Sequence, residues 1–294
     1  MQLAHQPILI VGMARSGTTL AQHILGLQPG VHVEVEPHML WKTGNFRYLA
    51  DENNPVRRRA CDRISKRLTD GLHGRTLVEK SPANSLRPEL VHAVFPQALV
   101  IYMERDPVAC IASNLMRSET CDSLRPSIIF RKYLRGAGSE DLAGAMGKRT
   151  LSQQLGTRDL VQFAGYTFRF LWLRQVCRTL PFGPKIEGFS ELVRTRGLLN
   201  YHVEVFRRSQ KHRHQFEELY GNQLKLFRLS DLHVSQESVR ELLRFSGLDA
   251  SAATAKRAMQ TFSSERISAS GHVSRRDEIS EALNEIGLGE ESSA

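Results

Sequence analysis

Ile8-Leu9-Ile10-Val11 is an unbroken apolar run that stops at Gly12, and from Thr18 onward the apolar residues change period, with Leu20, Ile24 and Leu27 sharing one side of a helix. The run predicts a buried strand over 7–11. The longer spacing predicts a helix over 17–27, closed by Gln28-Pro29-Gly30. Val31 to Val35 alternates apolar and polar residues as a second short strand would. A polar, basic helix follows over 55–72, and Thr76-Leu77-Val78 is a further strand that ends in Glu79-Lys80-Ser81-Pro82. Pro88 to Val94 reads as a helix. Ala98 to Met103 is the strongest buried-strand pattern, and Arg105-Asp106-Pro107 leads from it into a helix through Arg117. Strands alternating with helices imply right-handed crossovers, hence a P-loop-like three-layer α/β/α fold around a central parallel sheet.

Beyond Ser118 the pattern weakens. Gly136, Gly138, Gly144, Gly147 and Gly156 interrupt short helical stretches, so residues 118–159 are expected to form a helical cap on the acceptor side of a single domain spanning 1–294. Long helices are predicted over 160–180 and 198–219. A last strand is expected over 224–229, helices over 235–245 and 251–262, and a loose acidic tail over 285–294.

Charge adds direction to this outline. Forty Lys and Arg against 31 Asp and Glu leave a net +9, with clusters at Arg57-Arg58-Arg59, at Arg63, Lys66 and Arg67, and from Arg207 to Arg213. Such a field favours an anionic ligand or acceptor. Taken singly, each cluster reads as a solvated helix face, and no nucleic-acid module accompanies them, so nucleic acid is not an expected partner. Cys61, Cys110, Cys121 and Cys177 show no metal-ligand spacing and read as reduced thiols. Neither a signal peptide nor a membrane-length apolar run is evident, and a cytoplasmic protein is expected. Association into a homo-oligomer stays open.

The chemistry begins in the turn after the first strand. Gly12-Met13-Ala14-Arg15-Ser16-Gly17-Thr18-Thr19 has the spacing of a Walker loop, GxxxxGK(S/T), with Thr18 where the lysine belongs. Glycines let backbone N–H groups converge on an anion, and the helix N-terminus adds its partial positive charge. The lysine serves the outer phosphates of a nucleoside triphosphate, so a donor without a γ-phosphate has no need of it. Arg15 offers another cation. Two further strand ends, Glu79-Lys80-Ser81-Pro82 and Glu104-Arg105-Asp106-Pro107, reach the same edge of the expected sheet, where ligands of open α/β folds bind.

This set of residues resembles the PAPS-dependent sulfotransferases, and the loop Arg15-Ser16-Gly17-Thr18-Thr19 is most similar to the branch that includes tyrosylprotein sulfotransferases and bacterial homologues. The resemblance implies that PAPS is the co-substrate and PAP the product, with no metal. It implies donor contacts from Arg15, Ser16, Gly17, Thr18 and Thr19, and a 3′-phosphate site at Arg105 and Ser113, eight positions on, with Arg117 one turn further along the same face. Ser274 and Arg275 correspond to a late basic loop that closes over that phosphate. The RKGxxGDWK signature of the cytosolic small-molecule enzymes is absent.

For transfer of a sulfuryl group to a hydroxyl or amine, the resemblance places a base at Glu36, with Glu34 and His38 as competitors, and an electrophile at Lys80 beside Arg15. Glu34 otherwise reads as a surface residue, and Glu79 as the partner of a neighbouring cation. Trp172 is either a base-stacking platform or, the simpler reading, a core aromatic. A small molecule, glycan or peptide is the expected acceptor. The alternatives are a P-loop kinase or NTPase acting on a small molecule, and a non-catalytic nucleotide-binding protein.

Overall fold

The computed structural model describes residues 6–120, 155–176, 180–263 and 275–288. Its strands are β1 (Ile8–Val11), β2 (Val31–Val35), β3 (Thr76–Lys80), β4 (Leu99–Glu104) and β5 (Leu224–Arg228). Its helices are α1 (Thr18–Gly26), α2 (His38–Trp41), α3 (Arg58–Thr69), α4 (Pro88–Val94), α5 (Pro107–Thr120), α6 (Thr157–Val176), α7 (Phe189–Tyr220), α8 (Leu229–Val234), α9 (Gln236–Phe245), α10 (Ala252–Ser263) and α11 (Arg276–Glu285).

Every pairing in the sheet is parallel, in the order β2-β3-β1-β4-β5. A parallel sheet is covered on both faces, which is why β1 is apolar at every position and wholly buried. The two-residue period divides the side chains between the faces. Ile8, Ile10, Val33, Val78, Ile101 and Met103 pack with α1 and with α8 to α10. Leu9, Val11, Leu77, Val100 and Tyr102 pack with α2 to α4 and with Phe216 and Tyr220 of α7. A third cluster joins α5, α7 and α11 beside the sheet. The expected three-layer arrangement is therefore the observed one.

β1 lies between β3 and β4, so the chain turns first to one side of it and then to the other, opening a crevice at the carboxyl ends of the strands. Register fixes what meets there. Lys80 pairs in register with both Ile10 and Val35, and Val11 with Tyr102. The ends of β2, β3, β1 and β4 are thus nearly level, with strands about 4.8 Å apart.

Two elements differ from expectation. α7 begins at Phe189 rather than at 198 and breaks at Gly197, whose φ of 80° lies outside the helical range. β3 runs through Glu79 and Lys80, two charged residues that burial tolerates because each has hydrogen-bonding partners. Of the expected cap, 121–154 lies outside the described residues, as do Ser274, Cys121 and Cys177 and the tail from 289.

Candidate active site

The turn from β1 to α1 is held from three sides. Gly12 has φ 143°, and a Cβ there would sit 2.5 Å from the Met103 carbonyl oxygen at the end of β4. Gly17, with φ 101°, caps α1 where a Cβ would meet Leu229 at 2.7 Å. Neither position accepts a side chain. The Ala14 carbonyl accepts a hydrogen bond from Asn114 Nδ2 at 2.7 Å, and the Arg15 carbonyl one from Arg105 Nη1 at 3.1 Å. In a trans peptide the N–H opposes the C=O, so the Ala14 contact turns the Arg15 N–H away from α5. The Ser16 hydroxyl is buried and has no partner. An orphaned hydroxyl beside a helix N-terminus fits an anionic oxygen.

Arg15 itself has φ 72°, strained for a residue with a Cβ. Its Nε donates to Ser113 Oγ at 2.9 Å across 98 positions of sequence. Burial, then the neighbouring Arg105 and Arg117, lower its pKa. Arg117 stacks at 5.9 Å from the Phe182 ring centroid. Among the described residues, no carboxylate forms an ion pair with Arg15, Arg105 or Arg117. Three guanidinium groups crowded without a counter-charge are a site in want of an anion.

One strand away is a second group. Lys80, nearly buried at the end of β3, donates to Glu36 Oε1 at 2.6 Å. Glu36 Oε2 lies 3.2 Å from His38 Nε2. Glu36 sits at φ 49°, its N–H bonded to the Lys80 carbonyl, so backbone and side chain lock the same two residues together. Under it lies Glu79, wholly buried, which accepts from Ser81 Oγ at 2.6 Å, Trp41 Nε1 at 2.9 Å and Asn84 Nδ2 at 3.1 Å. Burial pushes its pKa up to about 7 in spite of those donors.

The structure thus brings Arg15, Arg105, Ser113 and Arg117 together, and separately Glu36, Lys80 and His38. Thr18 is buried and Thr19 exposed on the first turn of α1. Arg275 binds Glu278 and, at 3.2 Å, Glu119, which brings it to the end of α5 beyond Arg117. Three readings are corrected. Glu34 is buried rather than on the surface, 2.8 Å from His32 Nε2, on a strand that pairs with β3 over its whole length. Glu79 is held by neutral donors and not by an ion pair. Trp172 is exposed, since the inward face of α6 is made by Phe163, Tyr166, Phe170 and Leu173 instead. Asn114, the brace of the loop, escaped notice; its sequence signal is a polar side chain four residues after Cys110 on the buried face of α5. Among the described residues no cluster of three or more His, Cys, Asp or Glu is placed to hold a metal ion.

Residues 48–140 match the model of the sulfotransferase family, a span that includes Lys80, Arg105, Ser113 and Arg117. Over that span, about a third of its length, the chain is similar to the sulfotransferase family, the same family that the loop and the strand ends resemble. No curated protein sequence matches it. Similar solved structures include the sulfotransferase STF9 from Mycobacterium avium, 12% identical over 97% of this chain and 76% of that one, with a TM-score of 0.43. Mouse sulfotransferase SULT7A1 complexed with PAP is 11% identical over 91% of this chain and 68% of its own, with a TM-score of 0.42. A sulfotransferase from Alicyclobacillus acidocaldarius is 14% identical over 97% and 96% of the two chains, with a TM-score of 0.41.

Proposed function

We propose that the protein transfers the sulfuryl group of PAPS to an acceptor hydroxyl or amine. The observation that carries this reading is the pairing, at neighbouring strand ends, of an anion loop that lacks a Walker lysine with the Lys80–Glu36 contact. In this scheme Arg105, Ser113 and Arg117 take the 3′-phosphate, and the amides and hydroxyls of residues 15–19 take the phosphosulfate. Arg275 joins them by exchanging its two glutamates for phosphate. Glu36 accepts the acceptor proton as the new bond to sulfur forms. The bond from sulfur to the phosphate oxygen breaks on the opposite side, and Lys80, released from Glu36, meets the charge that appears on that oxygen. His38 orients the Glu36 carboxylate and is the second candidate base. The likeness of the loop to the tyrosylprotein branch belongs to this reading, as does a cytoplasmic location, which the free buried thiols of Cys61 and Cys110 support.

Two measurements test it. PAP without magnesium is expected to raise the melting temperature, whereas a kinase or NTPase would respond to ATP with magnesium instead. With labelled PAPS and a panel of acceptors, Glu36→Ala and Lys80→Ala are each expected to lower turnover by about a hundredfold or more. Turnover of both variants within about threefold of the parent would refute the assignment of base and electrophile.

A further inference from the structure

The surface of α6 carries large apolar side chains that the fold leaves outside. Val161 is 79% exposed, Phe168 71% and Trp172 61%. At positions i, i+7 and i+11 these three fall within about 40° of one another around the helix, opposite the face made by Phe163, Tyr166 and Phe170. Exposed apolar residues are unremarkable singly, but a stripe with an aromatic at each of two successive turns marks a docking surface.

What lies beside the stripe identifies the partner. Val161 also lines one of two adjoining cavities, of about 390 and 400 Å³, that share Gly44, Arg57 and Gln162. Around them stand Arg47, Arg57, Arg58, Arg59, Arg63 and Arg169. Arg169 donates to the Phe46 carbonyl and Arg47 to the Tyr48 hydroxyl; among the described residues none of the six forms an ion pair with a carboxylate. A protein partner of ordinary composition would match the stripe and leave six guanidinium groups uncompensated. A soluble polyanion would match the arginines and leave the aromatics in water. A surface with anionic headgroups above acyl chains satisfies both at once: aromatic and aliphatic residues enter the boundary region while flanking arginines meet the phosphates.

We propose that the face formed by α6 and the start of α3 is a peripheral docking surface for an anionic lipid bilayer. Among the described residues no helix is long and apolar enough to cross a membrane. The inference stands apart from the transfer reaction, since none of its residues belongs to the donor loop or to the Glu36–Lys80 pair.

The chain's two tryptophans make the test direct, because Trp41 is wholly buried and Trp172 exposed. Free protein is expected to show emission from a wetted indole. Vesicles of phosphatidylcholine and phosphatidylglycerol in equal parts should shift that emission to shorter wavelength and sediment the protein, and pure phosphatidylcholine should do neither. Trp172→Phe should abolish the shift while sparing sedimentation. The triple change of Arg57, Arg58 and Arg59 to Gln should weaken vesicle binding about a hundredfold, each arginine being worth about fivefold near an anionic surface. All the variants should keep the thermal response to PAP. Emission that is already blue in free protein, or that becomes so on raising its concentration without vesicles, would mean that the chain or a second copy covers the stripe and would overturn the proposal. So would binding to heparin or DNA with no binding to the mixed vesicles.

Discussion

Arginines occupy two regions of this molecule in opposite ways. On α7, Arg208 binds Glu52 and Glu204, Arg207 binds Glu204, and Arg213 binds Glu104 at 2.7 Å. At the carboxyl edge of the sheet, Arg15 and Arg105 are fixed as firmly, but by a serine hydroxyl and a backbone carbonyl, which hold the side chains without cancelling their charge. The first arrangement ties helix to strand and loop. The second stores an electrostatic cost that an incoming anion would relieve, which is what the proposed donor site calls for.

The sharpest way to break this contrast is to remove cations from the second region. Arg15→Ala combined with Arg105→Ala is expected to weaken PAP binding about a thousandfold, each charge-assisted contact being worth about 2 kcal/mol. Stability should hold or rise, because like charges are taken apart. Isothermal titration and thermal melting on the same variant measure both. A large loss of melting temperature with intact PAP affinity would mean that these arginines are structural after all.

The next effect runs the other way. Glu52 is buried and accepts from Arg208, from His212 at 3.2 Å and from the Glu187 N–H at 3.3 Å. Glu52→Ala strands those groups and should cost about 3 kcal/mol of stability, read by denaturant unfolding, with PAP affinity unchanged.

Glu79 is the converse of the unpaired arginines, a buried carboxylate among neutral donors. Its folded pKa, raised from the ordinary 4.5 to about 7, means that the folded state binds the proton more tightly than the unfolded one. Its favourable contribution is therefore complete below pH 4.5 and is lost as pH rises through about 7. Relative to Glu79→Gln, the parent should lose stability over that window, by on the order of 3 kcal/mol in all. Unfolding curves of the two proteins at several pH values measure the difference, and parallel curves would contradict the burial argument.

Much of this was legible before any coordinates. The apolar runs of β1 and β4, the helix spacings and the glycines at 12 and 17 are local signals, and the layers follow from them. Strand order was not, because nothing in a buried run says which neighbour lies beside it. The site was legible where a motif spaces its residues, as in Arg15 to Thr19 and in Arg105 with Ser113. It was illegible where the contact is long-range: Asn114 on Ala14, Trp41 on Glu79, and the side of α6 on which Trp172 falls all depend on packing between distant segments.

The smallest effect separates two roles that spacing alone cannot. Ser113 accepts from Arg15 Nε, so it either touches the donor or acts only by holding Arg15. Ser113→Ala should weaken PAP binding by about fivefold, the worth of one hydrogen bond of this kind. In a double-mutant cycle, a positioning serine costs nothing once Arg15 is already alanine, whereas a serine in direct contact with phosphate costs the same in both backgrounds. The proposed 3′-phosphate site calls for the second outcome. A serine that costs nothing in the Arg15→Ala background would instead remove Ser113 from the 3′-phosphate and leave it acting only by holding Arg15.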